Sequence, residues 1–172
     1  MDREQLIESV KTDLADRLID VFERNPARCY VTCEPDQSIP VNQWMIEHGG
    51  RLATATGVDC RDWVEMCYHY CFDALKNLVV TVKTRGYKPA CEIPSLGAHL
   101  PGAMFIEREM QDLLGATFVG HPDPRRLILA DDWPEGVYPL RKDYCHEANA
   151  NTGRALSPDP GRARVLSTVR RG

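Results

Sequence analysis

No run of apolar residues in this 172-residue chain approaches the roughly 18–20 needed to cross a bilayer as a helix. The acidic opening MDREQLIESV has none of the hydrophobic stretch of a signal peptide. The expected location is therefore cytoplasmic, with membrane contact only through partners. Cationic excess is missing too: 21 Lys and Arg stand against 25 Asp and Glu, a formal net charge of −4. Outside the last residues no Lys/Arg patch gathers, which argues against a general nucleic-acid-binding role. No C-x-x-C occurs among seven cysteines (Cys29, Cys33, Cys60, Cys67, Cys71, Cys91 and Cys145). An odd number without paired spacing reads as free thiols in a reducing compartment, and no iron–sulfur spacing is present. No glycine-rich phosphate loop follows a strand, and no G-x-S-x-G elbow occurs. No internal repeat is evident.

What is present has the length and apolar content of one domain, with a core of ordinary size. Leu6, Val10, Leu14, Leu18 and Phe22 recur every four positions and predict a helix over residues 2–24, closed by Asn25-Pro26. CYVTC (Cys29–Cys33) reads as a strand. Ile39 to His48 reads as a second helix ending at Gly49-Gly50. Residues 51–59, 63–72 and 78–83 read as three successive strands forming an antiparallel meander. In WVEMCYHYCF, Val64, Met66, Tyr68, Tyr70 and Phe72 share one face, and Trp63, Glu65, Cys67, His69 and Cys71 share the other. With Cys29–Cys33 this gives an α+β fold: a small, mostly antiparallel sheet of about four strands with helices on one face. EIPSLGAHLPG reads as a loop. Ala103 to Leu114 reads as a third helix with Ile106, Met110, Leu113 and Leu114 on its apolar face, and Arg108 and Asp112 as an i,i+4 pair on its wet side. Residues 1–144 form the predicted domain, extended by an arm. Residues 145–172, with five Arg and few large aliphatics, read as a basic extended tail.

Three groups carry candidate chemistry. Cys67, His69 and Cys71 point the same way from one strand, but residues four apart on a strand are about 13 Å apart. Ligands of one zinc ion lie within about 4 Å of each other, so buried side chains are the plainer reading. Glu107 and Glu109 suit acid–base work by type. Two positions apart on a helix, they point in different directions, so solvation or pairing with Arg is the simpler expectation. His121-Pro122-Asp123-Pro124-Arg125-Arg126 sets two guanidiniums on a backbone stiffened by prolines. That chemistry fits a protein interface, and equally a surface loop tied down by its own ion pairs.

The stretch IEREMQDLLGATFVGHPDPRRLILADDWPEGVYPLRKDY, Ile106 to Tyr144, resembles the 30-kDa subunit family of respiratory complex I, the NADH dehydrogenase of respiratory chains. The resemblance rests on Glu107-Arg108-Glu109, Asp112 to Gly115, Gly120 to Arg126, Asp131-Asp132-Trp133 and Pro139 to Asp143. One departure is informative. Trp133-Pro134-Glu135-Gly136-Val137-Tyr138-Pro139-Leu140 is longer than the family's usual W-E-G-H-P-L. The longer form is similar to the homologous subunit of membrane-bound, energy-converting [NiFe] hydrogenases of the CO-induced type, as is the compact length.

This resemblance implies a non-catalytic structural subunit of a peripheral arm, on the cytoplasmic face of the inner membrane, buttressing a 49-kDa-like large subunit beside an iron–sulfur small subunit. It implies no cofactor in this chain. The [NiFe] and iron–sulfur centres, or FMN and iron–sulfur in complex I, are expected in partners. The motif residues are the expected partner interface: Glu107, Arg108, Glu109, His121, Arg125, Arg126, Asp131, Asp132, Trp133, Tyr138, Arg141, Lys142 and Asp143. The 30-kDa subunit of complex I itself is the alternative within the family. A stand-alone thiol or metal-binding protein using Cys67, His69 and Cys71 is the alternative outside it.

Overall fold

The structure is a computed structural model and describes residues 1–76 and 78–144. Its elements in order are α1 (Arg3–Asp13), β1 (Leu18–Asn25), β2 (Arg28–Cys33), α2 (Ser38–Glu47), β3 (Arg51–Asp59), β4 (Trp63–Phe72), β5 (Leu78–Tyr87), β6 (Glu92–Pro94), α3 (Met104–Leu114) and β7 (Thr117–Val119). The first five strands form one sheet in the order β1-β2-β5-β4-β3; β6 and β7 form a separate parallel pair. The meander β3–β4–β5 is antiparallel, as expected, and the β1–β2 hairpin joins it through a parallel β2–β5 pairing. The α+β reading holds, with five strands in the main sheet rather than four.

Alternation along β4 fixes which side is the core. Val64, Met66, Tyr68 and Tyr70 are fully buried and Phe72 nearly so. They pack with Leu6 and Val10 of α1, Val41 and Met45 of α2, and Met110 and Leu114 of α3. Gly57 of β3 lets α3 approach: a Cβ there would collide with Leu114 and Met110. All three helices lie on this side of the sheet, so its other face is left open among the described residues.

The long first helix is a correction. A capping box between Asp2 and Gln5 starts α1, but the helix stops at Asp13. A single 3-10 turn follows at Ala15–Arg17, and Leu18–Asn25 is an edge strand. Both states accommodate the four-residue spacing of Leu14, Leu18 and Phe22. The β-branched and aromatic content of LIDVF, together with pairing to β2, decides for the strand. Phe22 consequently leaves the core and is 55% exposed. Asn25-Pro26 closes a hairpin, not a helix; the Asn25 side chain accepts from the Ala27 N–H at 2.9 Å. The tail over residues 145–172 lies outside the described residues.

Candidate functional site

After β7 the chain runs from His121 to Tyr144 with no helix or strand. This strap lies against α3 and is held mainly through its own main chain. Arg108 donates from Nε to the Arg125 carbonyl at 2.8 Å and from Nη2 to the Arg126 carbonyl at 2.9 Å. Its Nη1 lies 3.2 Å from Asp123. Gln111 donates to the Pro124 carbonyl at 2.8 Å. One oxygen of Asp112 accepts the N–H groups of Leu127, Ile128 and Leu129 at 2.9, 2.8 and 3.2 Å. Residues 108, 111 and 112 share one helix face at i, i+3, i+4 spacing, so α3 forms a rack for the strap. Arg108 and Asp112 are 8% and 5% exposed, which corrects the expected wet-side ion pair: the strap covers that side, and each residue bonds to it instead. Burial works against the charge on Asp112, but the three N–H donors outweigh it and hold its carboxyl below the usual carboxylate range.

Glu107 faces the core from α3 and is fully buried. It accepts from the Tyr68 hydroxyl at 3.0 Å, the Ser95 hydroxyl at 2.6 Å, the Leu96 N–H at 2.8 Å and the Gly97 N–H at 3.2 Å. Four donors saturate the two oxygens. The expectation of a solvated or Arg-paired Glu107 is thereby corrected: the carboxylate ties β4, the 95–97 loop and α3 together. His121 stands 3.8 Å away. Its Nδ1 accepts from the Asp123 N–H at 3.0 Å, which puts the ring proton on Nε2, 3.1 Å from the Met104 carbonyl. Glu109 is half-buried.

Further along, the strap braces itself. Arg126 Nη1 donates to the Ala130 and Trp133 carbonyls at 2.9 and 2.8 Å, and Trp133 Nε1 donates to the Val137 carbonyl at 2.9 Å. Gly115 ends α3 at φ +68°, and a Cβ there would strike the Tyr138 ring that lies on it. Arg141 stacks over that ring at 4.6 Å and donates to the Leu114 carbonyl at 2.7 Å. The Lys142 N–H donates to Asp59 of β3 at 2.9 Å, and Lys88 pairs with the same carboxylate at 2.7 Å. Burial opposes the charge on Asp59, yet Lys142 and Lys88 outweigh it, and its carboxyl is also held low. A pocket of about 350 Å³ remains between α3 and the strap, lined by Asp112, Arg126, Trp133, Glu135 and Tyr138 among others.

The expected interface residues thus divide. Glu107, Arg108, His121, Arg126 and Arg141 brace the chain internally. Arg125, Asp131, Asp132, Lys142 and Asp143 are exposed, and Trp133 and Tyr138 half-buried. Arg125 pairs with Asp123 at 2.6 Å, and that guanidinium holds the Asp123 carboxyl well below its usual range. Asp59, Tyr68, Ser95 and Gln111 are the residues sequence reasoning missed. Asp59, 83 positions from Lys142, carries no local signal at all. Glu107 does, because it continues the apolar stripe of Met110 and Leu114 at i, i+3, i+7.

Cys67, His69 and Cys71 are not brought together. His69 is bonded on both ring nitrogens, to Thr56 at 3.0 Å and Thr81 at 2.9 Å. Burial pushes the Cys67 thiol up to about 12, far from a ready thiolate. Among the described residues no three His, Cys, Asp or Glu side chains are placed to hold a metal ion. What the strap and α3 achieve chemically is to fix main chain while leaving side chains outward. Leu127, Ile128 and Leu140 are 38%, 53% and 57% exposed, and Phe105, beside Arg108 on α3, is 63% exposed.

Comparison with known proteins agrees with this arrangement. Hydrogenase-4 component G of Escherichia coli (strain K12) is 31% identical over 144 residues, 81% of this chain but only 26% of that protein. The C subunit of NADH-quinone oxidoreductase from Chloroherpeton thalassium is 35% identical over 142 residues, 78% of this chain and 58% of that protein. The chain therefore spans about a quarter to somewhat over half of these relatives. A chain in the structure of the membrane-bound sulfane sulfur reductase, an archaeal respiratory membrane complex, shares the fold with a TM-score of 0.75 at 22% identity, covering 91% of this chain and 96% of that one. The family model for the respiratory-chain NADH dehydrogenase, 30 Kd subunit, matches residues 31–150, taking in the end of β2, then α2, β3 to β5, α3 and the strap. The chain belongs to this 30-kDa subunit family, whose members are components of complex I or of related hydrogenase complexes.

Proposed function

We propose that the chain is a non-catalytic structural and assembly subunit in the peripheral arm of a membrane-bound, energy-converting [NiFe] hydrogenase, where it buttresses the large subunit. The observation that carries this reading is the strap: its main chain is satisfied from α3 and β3, so Leu127, Ile128, Leu140 and Arg125 are presented without further ordering. A preordered surface loses less entropy on association. Glu107 and Asp112 are enclosed by donors from the chain itself, which fits scaffolding better than proton transfer to a substrate. Trp133-Pro134-Glu135-Gly136-Val137-Tyr138, with Tyr138 seated on Gly115, supports the hydrogenase branch. Among the described residues no helix is long and apolar enough to cross a membrane, and association through partner subunits at the cytoplasmic face is the corresponding proposal. The metal centres of the reaction belong to those partners.

The test is assembly. In the purified complex, I128D/L140D should reduce recovery of the large subunit at least tenfold, with denaturant unfolding of the free chain moved by less than about 1 kcal/mol. Full recovery of the large subunit would defeat the docking role. Nickel in the wild-type complex marks the hydrogenase reading; FMN marks the alternative, the 30-kDa subunit of a proton-pumping NADH:quinone oxidoreductase.

A further inference from the structure

The open face of the five-stranded sheet has no part in the strap, yet its composition is not that of a solvated surface. Strand register places Phe22 opposite Tyr30, and Trp63 opposite Tyr87. Each pair is in contact, with ring centroids 6.3 and 6.5 Å apart. Phe22 is 55% and Tyr87 46% exposed. Between these corners runs the uncharged row Thr56–His69–Thr81, joined by hydrogen bonds of 3.0 and 2.9 Å. Burial, aided by Arg28, pushes the His69 pKa down, so the row stays neutral at neutral pH.

Among the described residues the two guanidiniums at these corners lack partners of opposite charge. Lys83, on the same face, pairs with Glu65 at 2.7 Å. Arg28 and Arg85 have no carboxylate within ion-pair distance among the described residues. Within that set Arg28 bonds only to the neighbouring Ala27 carbonyl at 2.9 Å. Arg85 lies over the Trp63 ring at 4.7 Å, and both Arg85 Nε and Trp63 Nε1 are buried donors that meet no acceptor among the described residues. Such donors are unfavourable where they stand and favourable once an acceptor arrives. Trp, Tyr and Arg around a flat neutral centre are also the residues that anchor protein interfaces.

We propose that this face docks a second protein surface, separate from the partner on the strap, which brings carboxylates to Arg28 and Arg85 and apolar side chains to the two aromatic pairs. The chain would then be a bridge, holding one protein on its helical layer and another on its bare sheet. The inference needs only that the chain works in an assembly; it does not depend on which complex that is. A single-stranded nucleic acid fits less well. Two unpaired guanidiniums, with Asp20 and Glu65 on the same face and Glu34 beside Tyr87, supply too little positive charge to hold a phosphate backbone.

Hydroxyl-radical footprinting of the wild-type assembled complex against the free full-length chain tests the proposal without any variant. Oxidation of Phe22, Trp63 and Tyr87 should fall at least fivefold in the complex, with Leu140 reporting on the strap independently. Equal oxidation of Phe22 and Tyr87 in both states overturns the inference; if Leu140 is protected at the same time, the strap reading survives alone. In the same complex R28E/R85E should release a subunit other than the one lost with I128D/L140D. Retention of every subunit overturns the proposal. Titration of the free chain with a fluorescent oligothymidylate should show no binding; binding abolished by R28E/R85E would assign the face to nucleic acid instead.

Discussion

Below α3, Met110 and Leu114 press onto β3 at Gly57 through apolar contact alone; above it, Arg108, Gln111 and Asp112 hold the strap by hydrogen bonds to its main chain. One helix thus secures two regions by different physics. The apolar side is non-directional, and its strength follows buried area. The strap side is directional and depends on charge. It sets a shape and adds little buried apolar surface. Where a surface must be rigid and still keep its apolar side chains outward, holding the backbone from charged side chains achieves both.

The comparison breaks most readily at Glu107, which serves the core side with polar chemistry. Glu107→Ala strands two hydroxyls and two main-chain N–H groups in a dry interior. The expected loss is more than about 3 kcal/mol of global stability by urea unfolding. A loss below about 1 kcal/mol would mean that water replaces the carboxylate and that the site is not dry.

Asp112→Ala should instead act locally. It removes the acceptor for three strap amides, a loss of about 1–3 kcal/mol. Exchange at Leu127, Ile128 and Leu129 should accelerate about 10- to 100-fold while β4 amides are unchanged. Acceleration in β4 by the same factor would merge the two regions into one cooperative unit.

Acid should separate the regions in the wild-type chain. The carboxyl groups of Asp112 and Asp59 titrate below their usual range when the strap is docked. A depressed folded-state pKa contributes stability that is fully present above the unfolded value of about 3.9 and lost as pH falls through the folded value. Strap amides should therefore lose protection below about pH 4 while the core persists. Hydrogen exchange at Leu127, Ile128 and Leu129 follows the first event and far-ultraviolet dichroism the second; coincident transitions would remove the distinction.

Arg125→Ala marks the lower end. The side chain is 81% exposed and, among the described residues, pairs only with Asp123. The midpoint of thermal unfolding should stay within measurement error of the wild type. A larger effect would make Arg125 part of the strap's internal bracing.

Much of the architecture was readable from local pattern, because burial on one face imposes a period of two on β4 and a helical stripe on α3. Residues 2–24 misled because Leu14, Leu18 and Phe22 satisfy a helical spacing while a strand partner, β2, lies just beyond. The site was readable as a motif and not as a mechanism. Arg108 and Asp112 look solvated until a strap some fifteen residues downstream covers them, and Asp59 meets Lys142 only in three dimensions. Contacts of that kind leave no periodic trace.

The parallel pairing of β2 with β5 bears on how the chain is made. Cys33 ends β2, and Leu78, which begins β5, follows 45 positions later. At about 5–20 residues per second, a nascent β1–β2 hairpin waits roughly 2–9 s before its permanent neighbour is synthesised. For that interval RCYVTC carries an unpaired edge with strong strand-forming residues, the kind of edge that recruits other chains. Slow translation between α2 and β4 should therefore lower the yield of correctly assembled protein even when the sequence is unchanged.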